Sequence, residues 1–279
     1  MPALSGHERL EGRAPRTRRP PSLRYEGIAP CNTPISADLI NRIHLADALS
    51  VLRALPDGCI DLTFTDPPYS SGGTTSASRS KAPSSKYIGG DVKTVYPEFQ
   101  HDSKDQRSWT FWCMTWLAEV YRVSRNEAHL VCFVDWRQLP SLTDAIQAAG
   151  FTWRGVAVWD KTSGRARPRA GGFAQQAEFL VWATKGAVRR ADVYLPGVFS
   201  ERLAHPKRHM TEKPAQLARE VVRLAPAGGV VLDPFAGSGT FLDAAKQAGL
   251  NWIGCELEPT YHQVATARVA GLDTPGVAA

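Results

Sequence analysis

Val230-Val231-Leu232-Asp233-Pro234-Phe235-Ala236-Gly237-Ser238-Gly239-Thr240 is the stretch on which the fold turns. A run suited to a buried strand, residues 229–233, enters a Gly-x-Gly turn, and residues 240–248 read as a helix. Gly237 and Gly239 let the backbone approach a ligand closely. The helix N-terminus that follows favours a carboxylate or a phosphate. A Walker-type phosphate loop is excluded, because no Lys follows the glycines, and a dinucleotide-binding turn would want a small residue where Leu242 stands. About twenty residues further on, Glu256 closes the strand Trp252-Ile253-Gly254-Cys255, where an acid can bind both ribose hydroxyls of an adenosine-containing ligand. Alone, the glycines make only a tight turn and Glu256 only a solvated strand end. Together they read as a nucleoside-binding half.

Upstream, strands and helices alternate. Residues 42–45 read as a short strand, 47–55 as a helix with Leu49, Leu52 and Leu55 at helical spacing, and 59–65 as a buried strand. A Trp-rich helix follows over 107–124, then a strand over 129–134 and a helix over 139–149 closed by Gly150. Strands are expected at 151–159 and 178–183, a helix at 213–224, and a last helix at 261–269. Residues 70–105, rich in Gly, Ser, Thr and Lys, read as a long loop, which in a compact domain is usually functional or disordered. Residues 161–169 form a basic loop, and 185–208 are irregular and basic. No internal repeat appears. The alternation predicts an α/β fold with a mostly parallel sheet and helices on both faces. Ligands in such sheets sit beyond the carboxyl ends of the strands.

A second motif lies at such an end. Asp66-Pro67-Pro68-Tyr69 directly follows the strand Asp61-Leu62-Thr63-Phe64-Thr65. The prolines fix φ and donate nothing, so their carbonyls can point into a pocket. Asp66 and the Pro67 carbonyl offer two acceptors, and Tyr69 offers a stacking face. That set suits a planar ring carrying an exocyclic NH2. As a tetrapeptide alone it could equally be a proline-stiffened turn.

Composition narrows the field. Of 279 residues, 43% are hydrophobic and 22% charged, which excludes wholesale disorder, collagen and coiled coil. No apolar run approaches the roughly 20 residues a membrane helix needs, and the basic N-terminus lacks the apolar core of a secretory signal. Cys31, Cys59, Cys113, Cys132 and Cys255 are scattered, without the pairing of a disulfide framework or a zinc site, and fit a reducing cytoplasm. Residues 1–38 carry six arginines up to Arg24 and read as a disordered basic arm. The net charge of +6 favours an acidic partner such as nucleic acid.

The order of these blocks resembles that of the beta-class S-adenosylmethionine-dependent DNA amino-methyltransferases, over roughly residues 40–270. In that family the Asp-Pro-Pro-Tyr motif precedes the glycine-rich cofactor loop and the target-recognition region lies between them, a circularly permuted order that this chain shares. Leu45-Ala46-Asp47-Ala48-Leu49 resembles the block that holds the cofactor adenine, with Ala46 where Gly is common. His209-Met210-Thr211-Glu212-Lys213-Pro214 resembles the family's His-Pro-Thr-Glu-Lys-Pro block, with Met210 in place of Pro. Trp159-Asp160-Lys161 and Glu178-Phe179-Leu180-Val181 resemble the blocks that line the target base.

The resemblance implies a Rossmann-like methyltransferase fold with a seven-stranded sheet, a catalytic domain over 39–279 and a small target-recognition region over about 161–208. It implies S-adenosylmethionine as cofactor, held by Asp47, Ala48, Asp233, Phe235, Gly237, Ser238, Gly239, Thr240, Glu256, Thr211 and Lys213. It implies catalysis by Asp66, Pro67, Pro68 and Tyr69 on a base flipped out of double-stranded DNA, without a metal and without a nucleophilic Cys. Lys161, Arg165, Arg167, Arg169, Arg189, Arg190, Lys207 and Arg208 are the expected phosphate contacts. Asp rather than Ser at position 66 leans towards adenine N6 over cytosine N4. A nucleoid-associated cytoplasmic enzyme is expected. A homodimer, a cognate restriction endonuclease and an orphan role are all compatible with the residues. The rival readings are an RNA or protein-amide methyltransferase and a catalytically inactive DNA-binding relative. Motif order speaks against the first. The intact Asp66, Tyr69, Gly237, Gly239 and Glu256 speak against the second.

Overall fold

The structure, a computed structural model, describes residues 34–70, 104–162, 170–189, 192–202 and 212–272. Its elements in chain order are β1 (Arg42–Leu45), α1 (Ala48–Ala54), β2 (Ile60–Thr65), α2 (Gln106–Val123), β3 (Ser124–Val134), α3 (Leu139–Ala148), β4 (Thr152–Asp160), β5 (Ala177–Thr184), β6 (Val198–Ser200), α4 (Ala215–Val221), β7 (Val230–Asp233), α5 (Thr240–Gln247), β8 (Asn251–Glu256) and α6 (Pro259–Ala270). A short 3-10 turn, Val222–Leu224, ends α4.

The strands form one sheet in the order β1-β8-β7-β2-β3-β5-β4-β6. Neighbours run parallel except at β3/β5 and β5/β4. The sheet therefore has eight strands, not the seven expected. The additional one is β6, three residues paired to the edge of β4 within a stretch read as irregular. A segment that short carries too little alternation to be seen in sequence. β3 also begins earlier than expected, at the buried Ser124; the polar, exposed Arg125, Asn126 and Glu127 that follow it hide the strand ahead of its seven buried residues.

The interior strands are buried through their length: all six residues of β2 and all four of β7 are covered, the polar Asp61, Thr63, Thr65 and Asp233 included. This is the signature of strands covered on both faces. Leu52, Trp109, Trp116, Leu117, Leu142 and Ile146 bring α1, α2 and α3 onto one face. Leu217, Val221, Phe241, Leu242 and Val269 bring α4, α5 and α6 onto the other. Trp109 and Trp116 are core, as their spacing predicts, and Ile35, Leu39 and Ile40 pack against the same cluster. The four described cysteines are buried thiols. Among the described residues no helix is long and apolar enough to cross a membrane.

The topology fixes where a ligand can sit. From β7 the chain passes through α5 to β8 on one side. From β2 it reaches β3 on the other. Strand order reverses between β7 and β2, and the crevice beyond their carboxyl ends is the binding position in open α/β sheets. The glycine turn and Asp66-Pro67-Pro68-Tyr69 both emerge there.

Candidate active site

The two motifs are joined at their roots. Thr65 Oγ1, at the end of β2, donates to Asp233 Oδ1, at the end of β7, over 2.7 Å. The proline motif is then held from outside: the indole Nε1 of Trp109 donates to the Pro68 carbonyl at 2.7 Å, and the Gln138 amide donates to the Tyr69 carbonyl at 3.0 Å. Proline cannot anchor a loop through its own N–H, so these side-chain donors take over that task. The Pro67 carbonyl immediately precedes the two pinned ones.

Around Asp66 the chain gathers charge from three further segments. Asp66 Oδ1 accepts from the Tyr69 hydroxyl at 2.5 Å, and Oδ2 from Lys213 Nζ at 2.6 Å. Lys213 Nζ also lies 3.1 Å from Glu178 Oε2, and Lys161 Nζ lies 2.6 Å from Glu178 Oε1. The Tyr69 hydroxyl is 3.3 Å from Glu178 Oε2. Lys213 is buried, with its ammonium 5.5 Å from the Tyr69 ring centroid and 5.0 Å from that of Phe133, within cation–π reach. Two carboxylates are thus neutralised by two ammonium groups. Burial pushes the Asp66 carboxyl up, and Lys213 opposes it. Burial works on Glu178 in the same sense, but Lys213 and Lys161 overcome it and hold Glu178 at about 2. Burial and the two carboxylates push the Tyr69 phenol well above its ordinary value, so it keeps its proton.

The glycine turn is made of backbone. Gly239 caps α5 in the left-handed region at φ 76°, and a Cβ there would lie 3.1 Å from Ala265 of α6. Leu242, the residue that spoils a dinucleotide fingerprint, is accommodated from the other side. A Cβ on Gly254 of β8 would come within 2.3 Å of its Cδ1, so the strand rather than the helix supplies the glycine for close packing. Glu256 holds the turn: Oε2 accepts from the Gly237 amide and Oε1 from the Glu258 amide, each at 2.8 Å. Asp47 caps α1, accepting from the Leu49 amide at 3.0 Å, and Ala48 is buried behind it. The Ala46 amide bonds the Glu256 carbonyl at 3.1 Å, which brings this block beside β8. Asp233 is fully buried, and burial raises it to about 8. Its Oδ1 also accepts from the Phe235 amide at 3.1 Å, while Oδ2 has no partner among the described residues.

Asp66, Glu212 and Lys213 share one open cleft of about 350 Å³ with Phe235, Ala236, Gly237, Ser238, Thr240 and Phe241. The acceptor carboxylate and the glycine turn therefore line the same space. Lys213, expected with the cofactor, is bonded to Asp66 while still lining the cleft. Lys161, expected at phosphates, is paired to Glu178. Arg189 is not brought to this group. It lies 3.6 Å from Asp61 Oδ1, near the opposite end of β2, where Arg125 also pairs with Asp61. Arg165, Arg167, Arg169, Arg190, Lys207, Arg208 and Thr211 lie outside the described residues, as do residues 1–33 of the basic arm and 71–103 of the long loop.

Sequence reasoning missed three supports of the site. Trp109 and Gln138 were legible only as core and helix-entry residues. Arg268 of α6 donates to Thr240 Oγ1 and pairs with Glu212, tying the glycine turn to the segment carrying Lys213. A signal for it existed: a cation on the buried stripe Tyr261, Val264, Ala265, Arg268, Val269.

Residues 60–196 and 189–267 match the N6/N4 methyltransferase family model, described as DNA methylase. The chain belongs to the N6/N4 DNA methylase family. It is 29% identical over 234 residues to YubD, a candidate methylase of Escherichia coli (strain K12), covering 84% of this chain and 92% of that protein. It is 26% identical over 257 residues to the type II methyltransferase M.HinfI of Haemophilus influenzae, covering 83% and 69%. Among solved structures, the M1.HpyAVI–SAM complex aligns with a TM-score of 0.60 at 23% identity, over 82% of this chain and 98% of that one. The cytosine-N4-specific PvuII DNA methyltransferase aligns with a TM-score of 0.63 at 17% identity, over 81% and 85%. At these identities the structural likeness shows the Rossmann-like fold.

Proposed function

We propose that this methylase transfers a methyl group from S-adenosylmethionine to the exocyclic N6 of adenine in double-stranded DNA, on a base turned out of the helix. The observation that carries the reading is the shared cleft, in which a carboxylate acceptor and a backbone-lined turn border one space. The donor set fits the cofactor. Glu256 and Asp47 stand at strand ends where ribose hydroxyls and an adenine amine can be met, and the buried Asp233 Oδ2 has no partner among the described residues. When bound, S-adenosylmethionine supplies an electrophilic methyl on a sulfonium.

The protein's part is to make the amine nucleophilic. The lone pair of an aromatic NH2 is delocalised into the ring. Asp66 and the Pro67 carbonyl accept its two N–H bonds, favour a tetrahedral nitrogen and stabilise the positive charge that grows as it attacks. That is preorganised electrostatic stabilisation. Tyr69 stacks on the base, and Lys213 keeps Asp66 ionised. The basic residues between 161 and 208 are proposed to meet phosphates. The choice of adenine rests on the carboxylate at position 66. Nucleoside mass spectrometry of DNA from an expressing, methylation-free host tests it: N6-methyladenine is expected, and methylated cytosine alone would overturn the base assignment and leave the mechanism standing.

A further inference from the structure

Both oxygens of Asp66 are already engaged, Oδ1 by the Tyr69 hydroxyl at 2.5 Å and Oδ2 by Lys213 at 2.6 Å. An incoming amine needs one of them at hydrogen-bond distance. Displacing the neutral hydroxyl costs less than displacing the ammonium, because the ammonium–carboxylate pair carries a full charge on both partners and the hydroxyl bond on only one. The hydroxyl proton then requires another acceptor, since a buried, unpaired donor carries a desolvation penalty. One stands beside it: Glu178 Oε2 lies 3.3 Å from the same hydroxyl and, besides Lys213 Nζ at 3.1 Å, has a second lone pair with which to accept it.

We propose that Glu178 is a positioning residue that receives the Tyr69 hydroxyl when the target amine takes its place on Asp66 Oδ1. The geometry of β5 supports this. Glu178 pairs in register with Trp159 of β4. Its other oxygen is fixed by Lys161, so Oε2 is the oxygen presented to Tyr69. The hydroxyl already lies within reach of both oxygens, so rotation of its O–H about the Cζ–O bond redirects the donated proton, and no charge moves. The inference deepens the proposed function and rests on it, because only a planar amine bound at Asp66 requires the exchange.

A double-mutant cycle on kcat/KM for unmethylated DNA tests it. Glu178→Asp keeps the charge that Lys161 and Lys213 pair with but withdraws the carboxylate by one methylene. In the wild-type background it is expected to lower kcat/KM at least 10-fold. In the Tyr69→Phe background, where no hydroxyl needs an acceptor, the same change is expected to cost less than 2-fold. Glu178→Gln, which retains an acceptor oxygen and loses the charge, is expected to be milder than Glu178→Asp. Equal losses in both backgrounds, or a Gln variant worse than the Asp variant, would reduce Glu178 to an ion-pair partner and overturn the hand-over. The wild-type protein in the same assay reports separately: no methyl transfer by it would overturn the proposed function, whereas transfer with additive losses overturns only this inference.

Discussion

From Gly237 to Thr240 the cleft is bordered by backbone and small side chains taken from one short run of sequence and held by Glu256 and Arg268. Elsewhere around the same cleft Asp66, Tyr69, Lys161, Glu178 and Lys213 form a charged network drawn from β2, β4, β5 and the segment before α4. In the proposed function the first region would bind by shape and amide dipoles, which a methyl donor of fixed structure requires. The second balances two carboxylates against two ammonium groups, so each member sets the charge state of the others. The turn should therefore lose affinity when altered, in proportion to the bonds removed. The network should lose turnover and shift its pH dependence.

The largest effect is expected at Asp66. Asp66→Ala removes the acceptor that stabilises the developing charge, and loss of one such group costs on the order of 100- to 1000-fold in rate. Transfer of a labelled methyl group to DNA should fall by at least that much, while calorimetric affinity for S-adenosylmethionine stays within about 3-fold, because the turn supplies that binding. Equal loss of both would erase the distinction between the regions.

Lys213 comes next. Burial raises Asp66 and Lys213 restrains it. Without the ammonium the Asp66 carboxyl climbs further and is protonated at higher pH. Lys213→Met should slow transfer and move the acid limb of the pH–rate profile to higher pH, because the opposite charge that restrains Asp66 is gone. A slower enzyme with an unmoved limb would mean that Lys213 serves packing alone.

Glu256 probes the other region. Glu256→Ala deletes the acceptor of the Gly237 and Glu258 amides and the expected partner of the ribose. Cofactor affinity should weaken about 10- to 100-fold, the equivalent of one charge-assisted hydrogen bond at ~1.5–3 kcal/mol. The acid limb of the rate profile should stay where it is. Unchanged affinity by calorimetry would remove Glu256 from the cofactor.

The same contrast explains what sequence could convey. The glycine turn is contiguous, so strand, turn, helix and the acid at 256 were readable together, as were β2 and the proline motif. The charged network is assembled by strand order. That Lys213 bonds Asp66, 147 residues away, depends on the segment before α4, a helix packed on one face of the sheet, meeting the end of β2. No local pattern encodes that. Lys161 and Arg189 were both read as surface cations. Each pairs with a carboxylate, Lys161 with Glu178 and Arg189 with Asp61 near the far end of β2. Composition reports charge but not where the fold spends it. β6 escaped for a different reason, because three edge residues have no periodicity to detect.

The smallest expected effect is at Asp233, where the two regions meet. Burial raises this carboxyl from 3.8 to about 8, so the folded protein keeps its proton across a range in which the unfolded chain has lost it. A group raised on folding contributes stability fully below its unfolded value, and that contribution is lost as pH climbs to the folded one. Between about pH 4 and pH 8, then, Asp233 makes the fold progressively less stable. Above pH 8 its effect levels off. Asp233→Asn preserves the oxygen that accepts from Thr65 and Phe235 but carries no titrating proton. Any cost of placing an NH2 group where Oδ2 stands is the same at every pH. The melting temperature of the variant relative to wild type should therefore rise steadily from pH 5 to pH 8, by roughly 10 °C in all, and then stay level. A difference independent of pH would show that Asp233 is ionised in the folded state. Its charge would then belong with the network around Asp66, and the boundary between the two regions would have to be moved to include it.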